Sequence, residues 1–150
     1  MPELDRIDHA IIKQLQDDAR ITITELANRV GLSKTPCQIR MRRLERERYI
    51  LKYSARVNPT KLGACHVAFV QVTLSDTKTR SLSAFNSAAN RVEEIEQCHM
   101  IAGGFDYLLK IRTSDMASYR AVLGEKVSAL PFVIQTSTFV VMETVKDLSI

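Results

Sequence analysis

The chain has 150 residues, 45% apolar and 25% charged, with a formal net charge of +4. That length fits one ordinary domain or two small ones, and the balance is that of a chain able to bury a core. No window approaches the roughly 18 continuous apolar residues of a membrane span, and Cys37, Cys65 and Cys98 are too scattered for a disulfide framework or a zinc site.

From Leu4 to Arg48 the apolar spacing is helical. The start, Met1-Pro2-Glu3-Leu4-Asp5, has neither a basic nor an apolar region of the secretory kind, so a cytoplasmic protein is expected. Ile7, Ile11 and Leu15 step by four with Ile12 beside them, which predicts a first helix ending near Asp18. Asp5 is its expected N-cap, with Asp8 in a capping-box position. A short second helix is expected from Thr24 to Val30, stopped by Gly31. Ser33 is the expected cap of a third helix running to about Arg48, with Pro36 in its first turn, where a missing N–H costs little. Tyr49 to Val57 reads as a short extended wing.

Residues 58–63, Asn-Pro-Thr-Lys-Leu-Gly, read as a linker between a domain of residues 1–57 and one of residues 64–150. Beyond them the period changes. Strands are expected at His66–Leu74, Ile95–Ile101, Tyr107–Arg112 and Val133–Glu143. Helices are expected at Leu82–Val92 and from an Asp115 cap to about Leu130-Pro131. The order β-α-β-β-α-β is the ferredoxin-like pattern. The whole is therefore an α+β chain, a winged helix-turn-helix followed by a ferredoxin-like sandwich.

Charge separates the two parts. Residues 1–60 carry 12 Lys/Arg against 8 Asp/Glu, and residues 61–150 carry 9 of each. Two helices joined by a tight Gly turn can lay the second in a DNA major groove. At 100° per residue, Cys37, Met41 and Leu44 face the other helices. The opposite arc carries Thr35, Ile39, Arg42, Arg43 and Arg46, with Gln38 on its flank. Arginine reads guanine or pairs with phosphate, and glutamine reads adenine. Lys34, Thr35, Gln38 and Ile39 lie at the end suited to bases, Arg42, Arg43 and Arg46 further along suit the backbone, and Ser33 joins them as a DNA-contact candidate. An arginine-rich face is also what a merely solvated helix shows, with Glu45 and Glu47 as partners. The Gly turn, Ser cap, early Pro and charge asymmetry together favour double-stranded DNA.

Three stretches, Leu4-Asp5-Arg6-Ile7-Asp8, Leu26-Ala27-Asn28-Arg29-Val30-Gly31-Leu32-Ser33 and Arg42-Arg43-Leu44-Glu45, resemble the Lrp/AsnC family of transcription regulators. Pro36-Cys37, Glu94-Ile95-Glu96-Gln97-Cys98-His99 and Phe139-Val140-Val141-Met142-Glu143 extend the likeness along essentially the whole chain. The resemblance implies a C-terminal domain that senses a small effector, usually an amino acid, and builds homodimers and higher oligomers, octamers above all. It implies an effector site at the turn Gly103-Gly104-Phe105-Asp106-Tyr107, with Asp106 in the response role and Met100, Thr136 and Thr138 as further candidates. Glycine lets a zwitterion approach the backbone, and a carboxylate can hold its ammonium group. The same residues also make an ordinary hairpin turn. Many relatives carry an acidic residue where Gly104 stands, so effector identity does not carry over.

An enzyme finds little support. His9, His66 and His99 share no metal-ligand or triad spacing, no phosphate-binding Gly loop follows a strand, and no cofactor or metal motif is present. His99 beside Cys98 is expected to pack rather than to form a catalytic dyad. An effector-independent architectural role would use the same DNA face.

Overall fold

In the computed structural model, which describes residues 3–146, the chain divides between Val57 and Asn58 into two units. The first holds three helices, α1 (Arg6–Asp17), α2 (Ile23–Arg29) and α3 (Lys34–Arg46). The Asp5 carboxylate accepts the N–H groups of Ile7 and Asp8 at 2.9 and 2.8 Å, and the Asp8 carboxylate accepts that of Asp5 at 3.2 Å. This reciprocal box satisfies amides that helix geometry leaves unpaired. One residue earlier than expected, α2 starts at Ile23 rather than Thr24, because the Thr22 hydroxyl takes the N-cap and accepts the Glu25 N–H at 3.2 Å. Gly31, with φ of 71°, closes it: Leu32 N–H reaches the Ala27 carbonyl at 2.9 Å and Gly31 N–H that of Asn28 at 3.3 Å. A β-carbon at that φ would be strained, which is why glycine ends this turn. The three helices close over Ile11, Leu15, Leu26, Ala27, Cys37 and Leu44.

Two expectations change here. Ser33 stands at the N-cap of α3, but its side chain makes no capping hydrogen bond. The expected wing is an extended segment that joins no β-ladder among the described residues; Leu51 to Val57 are exposed. Its root is nonetheless fixed. Arg48 takes a left-handed φ of 66°, and Tyr49 and Ile50 N–H groups return to the Leu44 carbonyl at 2.9 and 3.1 Å.

The second unit begins with a 3-10 turn, Thr60–Leu62, inside the stretch read as linker. Its four strands, β1 (His66–Leu74), β2 (Ile95–Met100), β3 (Tyr107–Thr113) and β4 (Val133–Val140), form one antiparallel sheet in the order β2-β3-β1-β4. This is the ferredoxin-like arrangement. Helix α4 (Thr79–Ala89) and α5 (Met116–Ala121), the latter continued by a π-helical turn over Val122–Val127, supply the helical layer. The expected Leu82–Val92 helix is thus shifted toward the N-terminus: Leu82 marks its apolar face, not its first turn. The last strand stops at Val140, short of Glu143.

Period-two alternation decides the core. Ala68, Val70, Val72 and Leu74 of β1 and Tyr107, Leu109 and Ile111 of β3 pack with Phe85, Ala89, Tyr119, Val122 and Val127. The Phe85 and Tyr107 rings meet at 4.3 Å. Residues of the other parity face away from the helices, and a cavity of about 530 Å³ lies there against Val67, Phe69, Gln97, Lys110, Val141 and residues 143–146. No described helix is long and apolar enough to cross a membrane.

Candidate nucleic-acid interface and ligand-binding end

Helix α3 divides along its length much as its spacing demands. Cys37 and Leu44 are fully buried and Met41 is half-buried. Ser33, Lys34, Thr35, Ile39, Arg42 and Arg46 are exposed and Gln38 is half-buried on the flank. Ile39 is 64% exposed, an apolar side chain held in water by a helix that has no inward position for it. Arg46 has its neighbour Glu47, at 3.5 Å, as its one ion-pair partner among the described residues. Glu45 is taken up differently from expected: it accepts the Tyr53 hydroxyl at 2.8 Å, which ties the extended segment to α3. Burial first, and the Glu45 carboxylate second, push the Tyr53 phenol up to about 12.

Arg43 departs from the expected arc. Its guanidinium turns inward and donates to the Asp8 carboxylate. Arg40 Nη1 donates to the other Asp8 oxygen at 3.0 Å and to Asp5 at 2.6 Å. Asp8 is fully buried, while the side chains of both arginines are 29% exposed. Helical wheels place Arg43 on the border of the outward arc. The border residue falls inward because Asp8, buried by α1, needs opposite charge. The signal was present in the spacing: Asp5 and Asp8 stand three apart on one helix, as do Arg40 and Arg43 on another.

At one end of the sheet the effector candidates gather. Asp106 precedes β3 and its carboxylate accepts the Leu74 N–H at 2.7 Å, while its own N–H donates to the Val72 carbonyl at 3.0 Å. Its carbonyl accepts from Ile101 at 2.8 Å, which closes the turn holding Gly103 and Gly104. Both glycines are exposed, and a β-carbon added at Gly104 would meet nothing within 4 Å. Thr136 pairs with Val72, beside Asp106, and Met100 pairs with Tyr107 at the end of β2, where it is exposed. Thr138 lies two residues further in, pairs with Val70, and its hydroxyl is bonded to that of Tyr119 at 2.6 Å. The structure therefore brings Gly103, Gly104, Asp106, Thr136 and Met100 to one end and engages Thr138 elsewhere. Periodicity carries no sign of the Asp106–Leu74 contact, which joins residues 32 apart.

Cys98 and His99 occupy opposite faces of β2. Cys98 is half-buried toward the helices, with its thiol pushed up by burial, and His99 is exposed. They form no dyad, and the packing role expected for His99 is absent too. Among the described residues no cluster of three or more His, Cys, Asp or Glu could hold a metal ion.

The family model of the Lrp/AsnC ligand-binding domain matches residues 67–149, and that of a winged helix-turn-helix DNA-binding domain matches residues 4–50. The chain is 55% identical over 148 residues to the proline dehydrogenase transcriptional activator of Rhizobium radiobacter, covering 99% of this chain and 95% of that one. It is 50% identical over 145 residues to the leucine-responsive regulatory protein of Escherichia coli K12, covering 97% and 88%. Among solved structures, a transcriptional regulator of Neisseria meningitidis in complex with L-methionine superposes with a TM-score of 0.90 at 27% identity, covering 97% of this chain and 94% of that one.

The Asp8 cluster yields two predictions. Asp8→Ala leaves two guanidiniums without their buried counter-charge and lowers the unfolding free energy by about 3 kcal/mol, read as a fall in the urea midpoint. The Asp5 carboxyl is held down to about 2, below its ordinary 3.8, first by the Asp8 N–H it caps and then by Arg40. A group with a lowered folded pKa stabilises above its unfolded value and loses that contribution as pH falls through the folded one. Helical circular dichroism is therefore expected to show stability falling between pH 4 and pH 2. Asp5→Asn, which keeps a capping oxygen, flattens that part of the profile.

Proposed function

This chain belongs to the Lrp/AsnC family of transcription regulators, with a DNA-binding helix-turn-helix and an amino-acid-binding domain, and from that membership we propose which residues read the DNA and which hold the effector. Helix α3 enters the major groove. Thr35, Gln38 and Ile39 face the base edges, with Ile39 against a thymine methyl, while Ser33, Lys34, Arg42 and Arg46 meet phosphates. The carrying observation is the outward arc of α3: Lys34 and Arg42 are exposed and have no ion-pair partner among the described residues. Ser33 has its hydroxyl free of the cap, and the first turn of α3 holds no acidic side chain to repel a phosphate. Arg43, engaged by Asp8, sits outside this set.

In the second domain, Asp106 holds the ammonium group of an amino acid. The Gly103 and Gly104 amides, which make no hydrogen bond among the described residues, receive its carboxylate, and Thr136 lines the site. Met100 stands at the rim, and Thr138, bonded to Tyr119, is left out of the site. One Asp106 oxygen is committed to Leu74, so effector binding bears directly on the end of β1.

The protein acts in the cytoplasm as homodimers that associate further, to octamers. The sheet face turned away from the helices supports pairing: Phe139 is 53% exposed there, in register with Phe69, beside an open cavity. Each copy offers few basic contacts, so linked copies on neighbouring half-sites supply affinity, and the effector shifts the population of assemblies. Relatives bearing the name of proline dehydrogenase activator make such a gene the first target to test.

Gel-shift titration of a proline dehydrogenase promoter at several salt concentrations tests the DNA face. Arg42→Ala with Arg46→Ala is expected to flatten the log-affinity against log-salt slope by about 0.9 per lost phosphate contact. Arg43→Ala is expected to lower the melting temperature and leave the slope in place; a slope moved by Arg43 alone puts that side chain on the DNA. Calorimetry with a panel of amino acids tests the effector end. Asp106→Asn retains an oxygen for Leu74 and removes the charge, and is expected to weaken binding at least about tenfold.

A further inference from the structure

Among the described residues, Arg48 and Phe132 are the non-glycine residues with positive φ. Arg48 ends a helix, where such a conformation is routine. Phe132 does not. It follows Pro131 in a turn closed by the Val133 N–H on the Leu130 carbonyl at 3.3 Å, and holds φ of 67°. Proline at the second position and positive φ at the third is the type II pattern, whose unstrained third residue is glycine. A bulky aromatic there is a true outlier. Nor does core burial compensate it, since Phe132 is 40% exposed.

Its place gives the strain a meaning. The Phe132 carbonyl accepts the Ser75 N–H at 2.8 Å, and the Asp106 carboxylate accepts the adjacent Leu74 N–H. The two residues grip consecutive amides of one strand end from its two flanks, since β3 and β4 lie on either side of β1. The register of β4 slips at the same point: Thr73 pairs with Gln135 and Leu74 with Val133, so Ile134 bulges out and is 65% exposed. Bulges of this kind re-aim side chains beside functional sites. Gly103, Gly104, Phe132 and Ile134 carry no charge that could meet a charged ligand side chain.

We propose that Phe132, with the bulged Ile134, is the apolar wall of the effector site and selects an amino acid with a compact apolar side chain, open or ring-closed. This rests on the reading that Asp106 holds the effector's ammonium group. The backbone strain is retained because the ring is needed outside the chain's own core.

The test compares the full-length protein with Phe132→Gly and Phe132→Leu by calorimetry against proline, leucine, methionine, lysine and glutamate, with thermal melts and light scattering. Phe132→Gly is expected to melt about 4–8 °C higher, as strain is relieved. It is also expected to bind the preferred apolar amino acid at least about tenfold more weakly and to discriminate less against lysine and glutamate. Phe132→Leu keeps most of the affinity. Unchanged affinity in Phe132→Gly overturns the wall, and an altered assembly with unchanged affinity reassigns the ring to a subunit contact. A melting temperature that does not rise removes the strain argument, and with it the proposal. Absence of binding by the unaltered protein sinks this proposal together with the effector reading. A full effect of Phe132→Gly with none from Asp106→Asn sinks only the ammonium assignment.

Discussion

Asp8 sits on α1 with no access to water, and a lone ionised carboxylate in that position would cost several kcal/mol. Arg43 and Arg40 reach it from α3, and Arg40 extends to Asp5, the cap of α1. One carboxylate thereby joins the N-terminal capping box of the first helix to the helix proposed to read DNA. Apolar packing through Ile11, Cys37 and Leu44 brings the two helices together, but such contact is non-directional. Two charged hydrogen bonds at fixed points on α3 set its rotation. With Arg40 and Arg43 held inward, Arg42 and Arg46 are left to face outward, and Ile39 with them.

The second domain uses a backbone version of the same device. Asp106 accepts the last amide of β1 with its carboxylate, and its backbone binds Val72 and Ile101. The glycine turn is thus mounted on β1, which pairs with β3 and β4 and supplies four of the core side chains. A charge arriving at Asp106 acts on a strand that the whole sheet shares. On the other flank of that strand end, Phe132 and the Ile134 bulge present apolar surface. The end of the sheet combines one charge, two exposed glycines and an apolar rim, which is what supports the proposed site for a small apolar amino acid.

Local rules made much of this legible. The change from a 3.6 to a 2.0 period near residue 64 marks the passage from helices to sheet, and the alternation in His66–Leu74 and Tyr107–Thr113 names the core residues of both strands. Asp5 and Gly31 end their helices for reasons contained in their own neighbourhoods. The outward face of α3 follows from the spacing of Cys37, Met41 and Leu44. Gly103-Gly104 and Asp106 stood out through resemblance and not through any period.

Sequence alone determined the helix and strand periods, the caps, and the basic character of one domain, because each depends on residues within a turn or two of each other. Tertiary structure alone decided the direction of Arg43, whose partner is 35 residues away. It also left the segment after α3 as extended chain outside any β-ladder, tied by Tyr53 to Glu45, anchored Asp106 to Leu74, and held Phe132 in a glycine's conformation. These are long-range choices. A residue on the border of two helix faces goes where a buried charge requires it, and a turn residue adopts a strained φ only when hydrogen bonds around it, here Val133 to Leu130 and Ser75 to Phe132, fix its ends.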